Sequence, residues 1–215
     1  MPRSTKPAHL AALVALTAVT GTLVALAMQP TTPPESTVAA SQPIVREQPT
    51  TVAVLGDSNT EVDSVDFAGG QIGAKTWVRE LTHGNFRFAG GWADGGATTA
   101  RIADELTPIT ADVLLVMAGT NDVGLGVPFE ESAANLKTAI AKTTANRTIL
   151  LAIPPRFPET QPTSADFNLA LRAVAAENGW EYFDGHQSTT LEDGVHLDFD
   201  SHRALAEAII RYLEG

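Results

Sequence analysis

The sequence predicts an α/β domain: a mainly parallel β-sheet with helices on both faces. Three observations lead there. Short runs rich in Val, Ile and Leu recur along the chain, with the length and composition of buried strands. Stretches with apolar residues at helical spacing lie between them, and this alternation of strand and helix is the pattern of a parallel sheet. Polar groups stand immediately after several of the strands, at the edge where such sheets hold their ligands.

The first fifty residues stand apart from this pattern. Arg3 and Lys6 precede a mainly apolar stretch from Ala8 to Met28, and Ala25-Leu26-Ala27 suits a signal peptidase. Residues 1–28 therefore read as a signal peptide or, being long enough to span a bilayer, as an uncleaved N-terminal membrane anchor. A soluble core helix would show a polar face, which this stretch lacks. Pro30, Pro33, Pro34, Pro43 and Pro49, set among Thr and Ser, make residues 29–50 an extended, disordered linker. The folded domain is expected over residues 51–215. It should be secreted or membrane-anchored, outside the cytoplasm.

Within the domain the elements follow in order. Thr51–Leu55 is the first apolar run, and Ile72–Leu81 the first helical stretch. Phe86–Ala89 supplies a short strand, followed by a glycine-rich loop and a helix over Ala97–Leu106. Asp112–Met117 is a strand, and Pro128–Ala145 a helix whose Glu130 and Glu131 sit near the positive end of its dipole. Arg147–Ile153 is the next strand. The helix Ser164–Asn178 stops at Asn178-Gly179 and leads into the aromatic strand Trp180–Phe183. A helix over Ser201–Leu213 ends the chain.

Composition narrows the function. The 215 residues carry a formal charge of −11, and residues 51–215 alone hold eleven basic and twenty-three acidic residues. Phosphate binding draws on clustered Lys and Arg, so nucleic acid is not an expected partner. The absence of cysteine removes disulfides, thiolate metal sites, a cysteine nucleophile and a lipobox anchor together. Few histidines remain to hold an ion, and no catalytic metal is expected. Asp57 to Asp63 has the outline of a calcium loop. It carries Val62 where the loop needs glycine and Ala68 where it needs a bidentate Glu.

Three polar signatures are informative. Val52-Ala53-Val54-Leu55 runs into Gly56-Asp57-Ser58-Asn59, and Leu114-Leu115-Val116-Met117 runs into Ala118-Gly119-Thr120-Asn121-Asp122. Near the end, Glu192-Asp193-Gly194-Val195-His196 leads into the last helix. These motifs resemble those of the GDSL/SGNH hydrolases, serine esterases and acyltransferases on a flavodoxin-like, three-layer α/β/α fold. The resemblance covers most of Thr51–Gly215. Gly56-Asp57-Ser58 matches the block that supplies the nucleophile, which would be Ser58. Gly95-Gly96-Ala97-Thr98-Thr99 resembles the second block, with Gly96 as its glycine, and Gly119-Thr120-Asn121-Asp122 the third, with Asn121 as its asparagine. Asp193-Gly194-Val195-His196 matches the block whose acid and base stand three residues apart. The chain departs from the pattern at Asp94-Gly95, where members often carry an aliphatic residue and serine, and at Asn59, where they commonly carry leucine.

The chemistry of these residue types agrees. A serine hydroxyl needs a base to take its proton, and His196 is the candidate, oriented by Asp193. Backbone N–H groups of Ser58 and Gly96, with the Asn121 side-chain amide, would form the oxyanion hole. Glycine at 96 suits close backbone approach, where a larger residue would crowd the acyl group. No cofactor is required. The expected activity is hydrolysis of small-molecule esters with small acyl groups, on carbohydrate or short-chain lipid, by a monomer. An acyltransferase using the same residues, or an envelope binding protein without catalysis, is the alternative.

Other residues carry plainer readings. Ser58 alone would read as a helix cap, and Asn121-Asp122 alone as a turn after a strand. Asp57 is read as structural, holding the loop backbone. His202 in the last helix is given a surface role, and His83 and His186 are loop residues without catalytic part. Trp77 is read as core. Trp92, placed in the glycine-rich loop, is a candidate wall of the substrate pocket. Arg156, in the segment Pro154–Pro162, is a candidate contact for an anionic substrate group or else a surface ion pair.

Overall fold

The computed structural model describes residues 48–215. The signal or anchor segment, and all but the last residues of the linker, lie outside the described residues. Five parallel strands form one sheet in the order β2-β1-β3-β4-β5, with β1 spanning Thr50–Gly56, β2 Phe86–Ala93, β3 Ile109–Met117, β4 Thr143–Leu151 and β5 Glu181–Phe183. Seven helices accompany them among the described residues. They are α1 (Ser58–Glu61), α2 (Trp77–Leu81), α3 (Thr99–Glu105), α4 (Thr120–Leu125), α5 (Phe129–Ala141), α6 (Ser164–Glu177) and α7 (Phe199–Glu214).

The period-two alternation of the strands divides the core into two halves. Ala53, Leu55, Leu114, Val116 and Leu150 face α3, α5 and α6 through Ile102, Leu136, Ala139, Phe167 and Leu171. Their neighbours Val52, Val54, Val113, Leu115 and Ile149 face α2 and α7 through Trp77, Leu81, Leu205 and Ile209. Strands apolar on both faces must be covered on both, and the three layers follow from that. Trp77 is fully buried, as its place on one helical face with Leu81 implies.

Several element boundaries differ from the sequence reading. The helix predicted from Ile72 begins only at Trp77, because Thr76 caps it by accepting the Val78 N–H. The helix predicted to Ala145 stops at Ala141. Thr143 and Thr144, β-branched, instead open β4 opposite Ile109 and Thr110, so β3 also starts three residues earlier than expected. The short helices α1 and α4, of 4 and 6 residues, are too short to show a helical spacing in the sequence.

The largest correction concerns β2 and Trp92. Gly90-Gly91 reads as a loop, yet the strand continues through both to Ala93, with Trp92 paired to Leu55. A β-bulge between Val52 and Ala53 shifts the register, and Gly90 adopts a φ of 135° beside it. A Cβ added at Gly91 would lie 2.0 Å from the Val54 carbonyl oxygen. Glycine here lets two strands approach closely.

Candidate active site

Each of the three polar signatures emerges at the carboxyl edge of the sheet, after β1, after β3 and before α7. Asp57 leaves β1 and caps α1 by accepting the Asn59 N–H at 3.0 Å, which makes Ser58 the first residue of that helix. The first turn of a helix leaves its N–H groups without intrahelical partners, so the Ser58 N–H is not consumed by its own helix. Asp57 is fully buried. Burial pushes its carboxyl up to about 6, against the lowering effect of the Asn59 N–H.

The segment before α7 folds back on itself. Leu191 and Leu197 bridge antiparallel, and the Glu192 N–H donates to the His196 carbonyl at 2.9 Å. Gly194, at a φ of 88°, allows the reversal. Asp193 Oδ1 accepts the Val195 and His196 N–H groups at 3.0 and 2.9 Å, while its Oδ2 lies 2.7 Å from His196 Nδ1. The hydrogen bond from the His196 side chain, followed by those two backbone donors, holds the Asp193 carboxyl well below the usual carboxylate range. On the other side of the ring, His196 Nε2 lies 3.0 Å from Ser58 Oγ. An imidazole held between a hydroxyl and a carboxylate can take the hydroxyl proton while the carboxylate stabilises the resulting imidazolium.

Gly96 and Asn121 come from two other segments, the turn after β2 and the start of α4. The Ala97 N–H donates to the Asp94 carbonyl at 3.1 Å, closing a turn that puts Gly96 at a φ of 72°. A Cβ at Gly96 would meet no protein atom within 4 Å, so the protein itself demands glycine through the left-handed backbone and not through crowding. Gly95 is turned elsewhere. Its backbone N–H acts on the Glu61 carboxylate, which burial and Asp94 push upward. Asn121 lies in the first turn of α4, where its Nδ2 donates to the Ala97 carbonyl at 2.9 Å. That bond uses one of its two amide hydrogens and leaves a second donor on the same nitrogen.

The next residue, Asp122, reads in the sequence only as part of a turn after a strand. It is fully buried, accepting the Thr99 N–H at 2.9 Å, the Thr99 hydroxyl at 2.5 Å and the Ser132 hydroxyl at 2.8 Å. It thereby joins α4, which carries Asn121, to the helix following Gly96. A fully buried carboxylate with three donors from two helices organises the edge of the sheet.

A cavity of about 340 Å³ adjoins the serine. Ser58, His196, Asp63, Lys75, Glu192 and Phe199 are among its lining residues. Trp92 and Arg156 are not. Trp92 packs on the core side of β2, with the Arg101 guanidinium 5.3 Å from its ring centre. Arg156 lines a separate cavity of about 290 Å³ near His186, and it makes no ion pair among the described residues. A third cavity, about 470 Å³, lies around Phe183 and Tyr212, and none of the site residues lines it.

His202 corrects the sequence reading. It is only 2% exposed and lines the serine cavity, whereas a surface role was expected. The signal was present in the spacing: His202, Leu205, Ala206 and Ile209 form one helical stripe, so His202 continues the buried face of α7. Burial pushes its imidazole down to about 4, with Asp198 and Asp63 opposing. His186 is a loop residue as expected, with Nε2 2.9 Å from the Ala152 carbonyl oxygen.

A serine set against an imidazole and a carboxylate at the carboxyl edge of a parallel three-layer sheet belongs to the class of serine hydrolases. Comparison with known proteins makes this specific. The model of the GDSL-like Lipase/Acylhydrolase family matches residues 54–204, and the chain belongs to that family of serine esterases. Solved structures share the fold. A carbohydrate acetylesterase family member from Sinorhizobium meliloti aligns with a TM-score of 0.60 at 19% identity, covering 77% of this chain and 97% of its own. The aryl esterase of M. smegmatis gives 0.59 at 16% identity, covering 77% and 98%. A lipolytic G-D-S-L family protein from Veillonella parvula gives 0.59 at 17%, covering 76% and 98%. Among curated proteins no relative matches the sequence.

Proposed function

We propose that this esterase is exported or membrane-tethered and hydrolyses small-acyl esters through an acyl-enzyme on Ser58. The continuous contact from Ser58 Oγ through His196 to Asp193, at 3.0 and 2.7 Å, carries the reading. Ser58 Oγ attacks the ester carbonyl as His196 Nε2 takes its proton. The Ser58 and Gly96 N–H groups and the Asn121 amide stabilise the oxyanion. His196 then protonates the departing alcohol, and water activated by the same imidazole releases the acid and frees Ser58.

The cavity supports one kind of leaving group. The alcohol must lie on the His196 side, since that imidazole protonates it, and the cavity there is lined by His196 and not by Gly96 or Asn121. Asp63, Lys75 and Glu192 offer donors and acceptors, and Phe199 offers an aromatic face. Such walls suit a hydroxyl-bearing alcohol, as in a carbohydrate ester, better than an alkyl chain. Export rests on Arg3, Lys6 and the apolar stretch Ala8–Met28. The test is hydrolysis of p-nitrophenyl acetate, longer-chain p-nitrophenyl esters and acetylated sugars by the full chain, with Ser58→Ala alongside. Saturable turnover favouring acetyl and lost in Ser58→Ala supports the reading; turnover retained by Ser58→Ala removes Ser58 as nucleophile. An intact-mass measurement on fractionated cells decides whether the N-terminal segment is cleaved.

A further inference from the structure

The segment carrying Asp193 and His196 is internally braced, but its internal bonds cannot place it relative to the serine. The Leu191–Leu197 bridge and the Asp193 bonds all close within residues 191–197. Asn59, adjacent to Ser58 on α1, reaches across. Its Oδ1 accepts the Leu197 N–H at 2.9 Å, and its Nδ2 donates to the Val195 carbonyl at 3.2 Å. One amide therefore grips the backbone on both sides of His196. The residue is 1% exposed, its bond to the Leu197 N–H is buried, and its own N–H is fixed by Asp57 at 3.0 Å. Phe157 is a further tie, its N–H donating to the Gly194 carbonyl at 2.7 Å, which holds the turn at Gly194 and not the backbone on either side of His196.

We propose that Asn59 is a positioning residue that sets the distance between Ser58 Oγ and His196 Nε2. This rests on the reading of Ser58 and His196 as nucleophile and base. The amide is planar and rigid, with donor and acceptor in fixed relation, so two bonds from it define both the separation and the tilt of the His196 backbone against α1. A leucine of similar size would fill the space and offer neither bond. The loop would then be held near α1 by packing alone, and proton transfer is steeply sensitive to misplacement of about 1 Å.

The full chain carrying Asn59→Leu or Asn59→Asp should be compared with the parent on p-nitrophenyl acetate. Asn59→Leu should lower kcat by roughly 10- to 100-fold with KM within about twofold. Asn59→Asp, which keeps the acceptor for Leu197 and loses the donor to Val195, should fall between the two. The acid side of the pH–rate profile should keep its shape, because Asp193 travels with His196 on the same loop. If folded Asn59→Leu kept kcat within twofold of the parent, or raised KM alone, the proposal would be overturned. Should Asn59→Leu fail to fold, Asn59→Asp decides by the same criteria, and failure of both to fold would assign Asn59 to the fold instead. Ser58→Ala separates the two readings. An inactive Ser58→Ala with fully active Asn59 variants removes only the clamp, whereas an active Ser58→Ala removes the nucleophile assignment on which it rests.

Discussion

Nε2 of His196 lies 3.0 Å from Oγ of Ser58, a residue 138 positions earlier in the chain. The contact spans the carboxyl edge of the sheet, from the end of β1 to the start of α7. It joins two segments that share no local structure, and each is braced independently, by the Asp57 cap on one side and the Asp193 turn on the other.

The proton transfer across that contact should behave as a unit. Ser58→Ala and His196→Ala should each lower kcat by several orders of magnitude, and the double variant should be little worse than either, since removing one member idles the other. Steady-state kinetics on a p-nitrophenyl ester checks this. Losses that multiply in the double variant would show that the two residues work separately.

Asn121→Ala should lower kcat by about 10²–10³-fold and leave KM within a few-fold, because an oxyanion donor acts on charge that develops only in the transition state. The lost tie to the Ala97 carbonyl is a second consequence, and a crystal structure of the variant would show whether the Gly96 turn moves with it. A raised KM with normal kcat would place Asn121 in substrate recognition.

Two buried groups should shape acid stability in opposite senses. His202 is pushed down to about 4, so the unfolded chain takes up its proton first, and stability present above pH 6.5 is lost as pH falls toward 4. Asp57 is pushed up to about 6, so the folded chain takes up its proton first, and stability rises as pH falls from 6 toward 4. Each effect is on the order of 3 kcal/mol at full extent. Denaturant titrations from pH 7 to 4 should show His202→Gln gaining relative to the parent as pH falls, and Asp57→Asn losing. Parallel pH profiles for all three proteins would refute both assignments.

Gly91→Ala should destabilise the fold by about 3 kcal/mol, because its Cβ would meet the Val54 carbonyl at 2.0 Å and force β2 away from β1. Gly84→Ala is the control. A Cβ there lies 3.6 Å from its nearest neighbours, an ordinary contact, and thermal unfolding of the two variants should differ accordingly.

Much of this molecule was legible in one dimension. The strands at Val52–Leu55 and Leu114–Met117 are continuous apolar runs, and a run apolar at every position predicts burial on both faces without knowledge of its partners. Ser58, Asn121, Asp193 and His196 were visible because each follows a strand or opens a helix within a short motif, and Asp193 needs only a three-residue turn to reach His196. Local spacing determines such contacts. The course of β2 through Gly90-Gly91 was not legible, since glycine reads as a loop until the Val54 carbonyl beside it explains why nothing larger fits. Trp92 therefore stands on a strand and does not line the cavity beside Ser58. The grip of Asn59 on both sides of His196, and the placement of Asp122 among Thr99 and Ser132, depend on segments brought together only when the sheet closes. Periodicity and turn chemistry are local, so the alternating elements and the residue types at the sheet edge can be read along the chain. Hydrogen bonds across 138 residues leave no spacing to read, so the distant backbone groups that those side chains hold emerge only once the chain has folded.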